Sequence, residues 1–236
     1  AKVLPMKLLT SLAGEPMVVR MIERLKLAKS PKKIVICTSA IEQDKPLLNI
    51  AKDLSVESYC GHPDDVLCRL RDAAIAYDFD LIISATADNP LVDPFWMDKL
   101  VDLHVTENAD YGRIEGLPFG TFCYTISVDA LIKACDIKDE IDTEVWGGYF
   151  TESGLFKNIV LDVNDDMVKR PNYRLTVDTE KDYELMNDIF EHLYINENIF
   201  GLDEVIHYLD KNPEIANINS TIQQASPKPV KFKSVS

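Results

Sequence analysis

Leu81-Ile82-Ile83-Ser84-Ala85-Thr86-Ala87-Asp88-Asn89-Pro90-Leu91-Val92-Asp93-Pro94 decides how this chain is read. Its opening run is apolar and β-branched, which predicts a strand over residues 80–85. Its last two residues read as a helix start. The Asp93 side chain can accept from the free amides of a first turn, and Pro94 sets φ where no N–H donor is needed. A helix is predicted from there to about residue 105. Strand, short loop and helix together make half of a βαβ unit. The loop carries Asp88 just past the strand's carboxyl end, where open α/β sheets bind ligands. Asp88 can coordinate a hard cation such as Mg²⁺, or it can simply turn the chain together with Asn89 before the helix. Position alone leaves both readings open.

Working outward, the same alternation recurs. Strands are predicted over residues 33–38, 56–60, 121–126, 158–163 and 173–177, so the residues alone suggest a largely parallel sheet. Between them lie helical patterns. Residues 15–29 place Met17, Val18, Met21, Ile22 and Leu25 on one apolar stripe. Residues 64–77 begin with two acids at the positive end of the helix dipole. Ser127 and Asp142 read as N-caps of two further helices, and Thr179 as the cap of a helix through Leu193. Residues 1–219 are expected to form one domain. Residues 220–236, rich in Ser, Pro and Lys, are expected to be a flexible tail or an exchange arm.

Composition narrows the function classes. A chain of 236 residues with 46% hydrophobic content can bury a full core. The formal net charge of −14 argues against a nucleic-acid partner, which would need clustered Lys and Arg. Five scattered cysteines, never in CxxC spacing, fit reduced thiols in a cytoplasmic protein better than a disulfide framework or a zinc site. No apolar run approaches the ~20 residues of a membrane span, and no signal peptide is visible, so no membrane partner is expected.

Three more segments could carry chemistry. Tyr173-Arg174-Leu175-Thr176-Val177-Asp178-Thr179 ends a predicted strand in a second acid. Facing Asp88, it would complete a two-carboxylate cradle for a magnesium triphosphate; alone, it is a helix-entry Asp. Lys7, after Leu4-Pro5-Met6, could bring a flexible cation to phosphate oxygens or be a solvated surface charge. Gly61-His62-Pro63-Asp64-Asp65-Val66-Leu67-Cys68-Arg69 places Arg69 four residues after Asp65. That spacing favours an ion pair on one helix face, although Arg69 could instead reach an anionic ligand.

In this order, these segments and Leu12-Ala13-Gly14-Glu15-Pro16-Met17 resemble the cytidylyltransferases that activate acidic sugars. Among these are the spore coat polysaccharide biosynthesis F-type proteins, relatives of the CMP-acylneuraminate and CMP-KDO synthetases. The resemblance runs from about Leu4 to Ile218. It implies a single-domain α/β nucleotidyltransferase sheet (GT-A-like, Rossmann-like), mixed rather than wholly parallel and flanked by helices, in a homodimer. It implies transfer of CMP from CTP to a small anionic acceptor, a sugar acid, sugar or alkyl phosphate or phosphonate, with release of pyrophosphate. Asp88 and Asp178 would be the Mg²⁺ ligands, and Lys7 the lysine on the triphosphate. Gly61, Asp65 and Arg69 would line the nucleotide or acceptor side.

The chain departs from this pattern in places. Val3 stands where the family has Arg before Leu-Pro, and the family's Gly-rich phosphate loop with its strand would precede Leu4. Phe122 and Tyr124 stand where the family often has acids, so they are expected to face a less acidic acceptor pocket, or else to be core aromatics along with Trp146. Thr143-Glu144-Val145-Trp146 replaces a Glu-His pair before a helix. Two other classes stand beside the enzyme: a nucleotide-binding relative without turnover, and a GT-A glycosyltransferase. The second usually carries an Asp-x-Asp metal motif, which is not present near Asp88.

Overall fold

The structure, a computed structural model, describes residues 7–224 and 229–233. After a 3₁₀ turn at Lys7–Leu9, strands β1 (Ser11–Leu12) and β2 (Glu15–Pro16) form a small antiparallel hairpin. Ala13 and Gly14 both take positive φ between them, as a two-residue hairpin turn requires. Next come α1 (Met17–Leu25), β3 (Val35–Ser39), α2 (Lys45–Asp53), β4 (Glu57–Gly61) and α3 (Val66–Ala76). The central part holds β5 (Leu81–Ser84), α4 (Pro94–Glu107), β6 (Tyr111–Glu115), β7 (Tyr124–Ser127) and α5 (Val128–Ile137). The remainder holds α6 (Gly148–Thr151), β8 (Asn158–Asp162), α7 (Glu180–Leu193), α8 (Leu202–Lys211) and α9 (Pro213–Ala216).

The sheet is mixed, as the resemblance implied, and not largely parallel as the residues alone suggested. β3 and β4 pair in parallel. A four-stranded sheet runs β5-β7-β6-β8, with β7 antiparallel to both neighbours and β6 parallel to β8. The helix caps expected at Asp93, Ser127 and Thr179 all form.

Three expectations are corrected. Residues 173–177 form no strand; among the described residues they make a single isolated bridge, Phe119 with Arg174, because the segments beside them are loops. Asp142 does not cap a helix; the next one, the short α6, starts at Gly148. Thr143 is drawn instead onto the start of α3, where its hydroxyl accepts from Leu67 N–H at 2.9 Å and donates to Asp65 at 3.0 Å. The strand β6 was not expected, because Gly112 interrupts its apolar pattern. A Cβ there would come within 2.3 Å of Thr125 Oγ1, which hydrogen-bonds His104 at 2.9 Å.

Two main clusters form the core. α1, α4, α7 and α8 contribute Met17, Met21, Leu100, Leu185, Met186, Ile189 and Val205 to one, against Ile114 and Ile159 of the sheet. The other is aromatic: Tyr111, Trp146, Tyr149 and Phe150 pack with Leu67, Ile126 and Leu131. Each large side chain so buried stabilises the fold by about 1.5–3 kcal/mol. Of the 220–236 extension, residues 229–233 lie against this second cluster. Asp139 N–H donates to Lys231 C=O and Lys233 N–H to Ile137 C=O, both at 2.8 Å, and Phe232 meets the Tyr149 ring edge-on.

Candidate active site

Asp88 sits in the turn that leaves β5, where Asn89 N–H and its side-chain amide bond back to Thr86 at 3.1 and 2.7 Å. The carbonyl of Asp88 accepts from Val177 N–H at 2.9 Å. That single bond stitches the β5 turn to the residue before Asp178. Thr179 then starts α7 with a reciprocal cap, its hydroxyl accepting from Asp182 N–H while the Asp182 carboxylate accepts from Thr179 N–H. The two acids are thereby held at one edge by different local devices, a turn and a capped helix.

Their side chains meet over Lys7. Lys7 Nζ donates to Asp88 Oδ2 at 2.9 Å and to Asp178 Oδ1 at 2.8 Å. The three side chains are 26%, 22% and 37% exposed, so the cluster opens to solvent rather than lying in the core. Burial would by itself lower the Lys7 pKa; the attraction of Asp88 and the hydrogen bonds to both carboxylates outweigh it, and the net shift is upward. The ammonium therefore stays charged. Asp88 Oδ1 is buried and has no hydrogen-bond partner among the described residues. Two carboxylate oxygens aimed at one cationic point, with a third left unpaired, form a donor set that suits a hard divalent cation. Among the described residues no group of three or more His, Cys, Asp or Glu could hold a metal. A cation here would take the rest of its shell from phosphate and water, as Mg²⁺ ordinarily does.

The other candidate residues lie elsewhere on the framework. Gly61 ends β4, and a Cβ on it would come within 2.7 Å of Arg69 Cγ, so the glycine lets Arg69 pass close over the strand end. The expected Asp65–Arg69 pair does not form. Asp65 is the N-cap of α3, and its side chain turns back to Cys68 N–H rather than along the helix face. Its other oxygen meets Lys138 Nζ at 2.6 Å. Burial alone would raise the Asp65 pKa, but Lys138 and the amide and hydroxyl donors hold it below the ordinary carboxylate value. Arg69 instead donates to the His62 and Pro63 carbonyls at 2.7 and 3.1 Å. Phe122 and Tyr124 are half-buried and meet edge to face with centroids 5.9 Å apart. They continue through Trp146 into the aromatic core and through Phe119 to the Arg174 guanidinium.

The sequence reading assigned no role to Arg174, Asp182 or Asn219. Arg174 donates to Asp178 Oδ2 at 2.7 Å and to Asp182 Oδ1 at 2.9 Å. The spacing of Arg174, Asp178 and Asp182, four residues apart each time, was the available signal. Asn219 carried none.

Comparison with known proteins places the chain in a family. A model of the cytidylyltransferase family matches residues 2–200. An uncharacterized protein of Methanocaldococcus jannaschii is 33% identical over 230 residues, covering 96% of this chain and 93% of its own. The spore coat polysaccharide biosynthesis protein SpsF of Bacillus subtilis is 26% identical over 220 residues, covering 90% of this chain and 91% of its own. The solved structure of a cytidylyltransferase from Leptospira borgpetersenii superposes with a TM-score of 0.82 at 26% identity, covering 95% of this chain and 94% of that one. Because the family model spans residues 2–200, most of the chain's length, this chain belongs to the cytidylyltransferase family.

Proposed function

We propose that the protein transfers CMP from CTP to a small anionic acceptor, a sugar acid or a sugar or alkyl phosphate or phosphonate, and releases pyrophosphate. The observation that carries this reading is the convergence of Asp88 Oδ2 and Asp178 Oδ1 on Lys7 Nζ, within 2.9 Å of one point. Asp88 and Asp178 would hold Mg²⁺, which when bound neutralises triphosphate charge and polarises the α-phosphorus. Lys7, a flexible point charge, turns from the carboxylates to the phosphate oxygens of CTP. The acceptor oxygen attacks the α-phosphorus in line; a new P–O bond forms as the bond to the β-phosphate oxygen breaks, and pyrophosphate leaves with that electron pair. A phosphate or phosphonate acceptor is already anionic and needs no strong base, whereas a sugar-acid hydroxyl gives up its proton to water as its P–O bond forms.

Gly61 and Arg69 shape the nucleotide side. None of the hydrogen bonds of Arg69 among the described residues goes to a carboxylate, which leaves its charge for an anion. Asp65 acts there only by fixing the loop at the start of α3. Phe122 and Tyr124 give the acceptor side an aromatic wall. A cytoplasmic homodimer working in surface-polysaccharide synthesis belongs to the same reading, in keeping with the name of the B. subtilis relative.

The test is pyrophosphate release with CTP, Mg²⁺ and a panel of sugar acids, sugar phosphates and phosphonates. Turnover with at least one acceptor that disappears in Asp88→Ala and Asp178→Ala supports the proposal. CTP binding without turnover on any acceptor points to a non-catalytic relative. Turnover of a nucleotide sugar with CTP inert points to a glycosyltransferase.

A further inference from the structure

Behind the Lys7 cluster lies a second layer of polar groups. The Arg174 guanidinium forks between two acids: Nη2 donates to Asp178 Oδ2 at 2.7 Å, while Nε and Nη2 reach Asp182 Oδ1 and Oδ2 at 2.9 and 3.2 Å. The Asp182 side chain is 0% exposed. Its Oδ2 also accepts from the amides of Asp178 and Thr179 at 3.1 and 2.9 Å and from the Thr179 hydroxyl at 3.0 Å. Asn219, 2% exposed, closes the layer. Its Nδ2 donates to Asp182 Oδ1 at 2.8 Å and to the Arg174 carbonyl at 2.9 Å. Arg174 Nη1 also donates to the side-chain oxygen of Gln224. Asn219 and Gln224 lie beyond residue 200, where the family match ends.

We propose that Arg174 is a positioning residue for Asp178, and that Asp182 and Asn219 hold it in place, so that the segment after α9 belongs to the active site. The Asp178 side chain is 37% exposed, and when Lys7 turns away to phosphate it is Arg174 that still grips its carboxylate. Engaging Oδ2 fixes its rotation and leaves Oδ1 aimed at the cation position. Only a planar fork can bond Asp178 and Asp182 together; a lysine ammonium on a flexible stem cannot hold both in one geometry. The buried carboxylate behind the fork has all its donors supplied, which makes the arrangement stiff. Asp88 has no such arginine and takes its position from the turn after β5. The inference rests on the cation-binding reading of Asp88 and Asp178.

Mn²⁺ titration of the full chain in the presence of CTP, followed by electron paramagnetic resonance, tests it. Arg174→Gln should weaken Mn²⁺ binding by about 10- to 100-fold, the usual range for a group that orients a metal ligand. Arg174→Lys should remain weakened, and Asn219→Ala should lose about tenfold, each with a wild-type circular dichroism spectrum. A folded Arg174→Gln protein that binds Mn²⁺ with CTP as tightly as wild type overturns the proposal. If Arg174→Gln does not fold, Asn219→Ala decides, and unchanged affinity there overturns it equally. Failure of the underlying reading looks different: the wild type itself would bind no Mn²⁺ with CTP, and the proposal would fall with it.

Discussion

Lys7 with Asp88 and Asp178, and Lys138 with Asp65, are both lysine–carboxylate clusters beside the start of a helix, yet they are built to opposite ends. At Lys138 the two side chains are 9% and 11% exposed, and the carboxylate is completed by Thr143 and the Cys68 amide. At Lys7 the side chains are 22–37% exposed, one ammonium is shared by two carboxylates, and Asp88 Oδ1 has no partner among the described residues. The first is a closed brace tying α3 to the segment after α5. The second is held open by its surroundings, with more negative charge than its own cation satisfies. Surplus charge and an unpaired oxygen cost stability and are retained where a ligand supplies what is missing.

The sharpest way to break this contrast is to exchange the phenotypes. Asp88→Asn should lower pyrophosphate release by about 100- to 1,000-fold, the usual cost of removing one group that stabilises transition-state charge. Its unfolding free energy in urea should stay within about 1 kcal/mol of wild type, because Lys7 keeps Asp178. Lys138→Met should do the reverse. Leaving Asp65 charged and unpaired in a nearly closed site should cost about 3–5 kcal/mol in denaturant unfolding, while kcat of the folded protein changes little. If Asp88→Asn unfolds the protein and Lys138→Met destroys turnover without destabilising it, the two assignments are inverted.

Acid titration sharpens the same comparison. Asp65 and Asp182 both have pKa values below the ordinary carboxylate value: burial opposes this in each, and Lys138 for one and Arg174 for the other overcome it. Their stabilisation is therefore fully present above the unfolded value of about 3.9, and it is lost as pH falls through the lower folded values. The urea midpoint of the wild type should drop steeply below about pH 4, and Lys138→Met should flatten that drop. The smallest expected effect lies at the rim of the brace. Phe232 meets Tyr149 with centroids 5.6 Å apart and flanks the backbone pairing at Asp139. Phe232→Ala should cost about 1 kcal/mol, read as a shift in thermal midpoint with turnover unchanged.

Much of the fold was legible because its signals are local. Asp93 with Pro94 marks the start of α4, Ser127 that of α5 and Thr179 that of α7, since a cap needs only the next few amides. β6 was hidden because Gly112 owes its identity to Thr125 on the neighbouring strand. Asp142 resembled a cap, but Thr143 beside it answers to the start of α3. Asp65 was matched to Arg69 by helical spacing, yet an N-cap side chain points back at its own helix and leaves the outer face. In the site, Lys7, Asp88 and Asp178 were found as strand-end or loop residues with the right chemistry. Arg174 and Asp182 were passed over although each stands four residues from Asp178, and Asn219, far along the chain, had no local signal at all.

By itself, then, the sequence determined most of the helix starts and several of the strands, and it picked out the two acids in the loops beside them, because backbone propensity and capping act over a few residues. Only the tertiary structure decided that Asp88 and Asp178 share a cation while Asp65 does not. That choice turns on the Val177 amide reaching the Asp88 carbonyl and on Lys7 arriving from the far end of the chain. Contacts of that kind come from packing between distant segments, and no spacing within either segment encodes them.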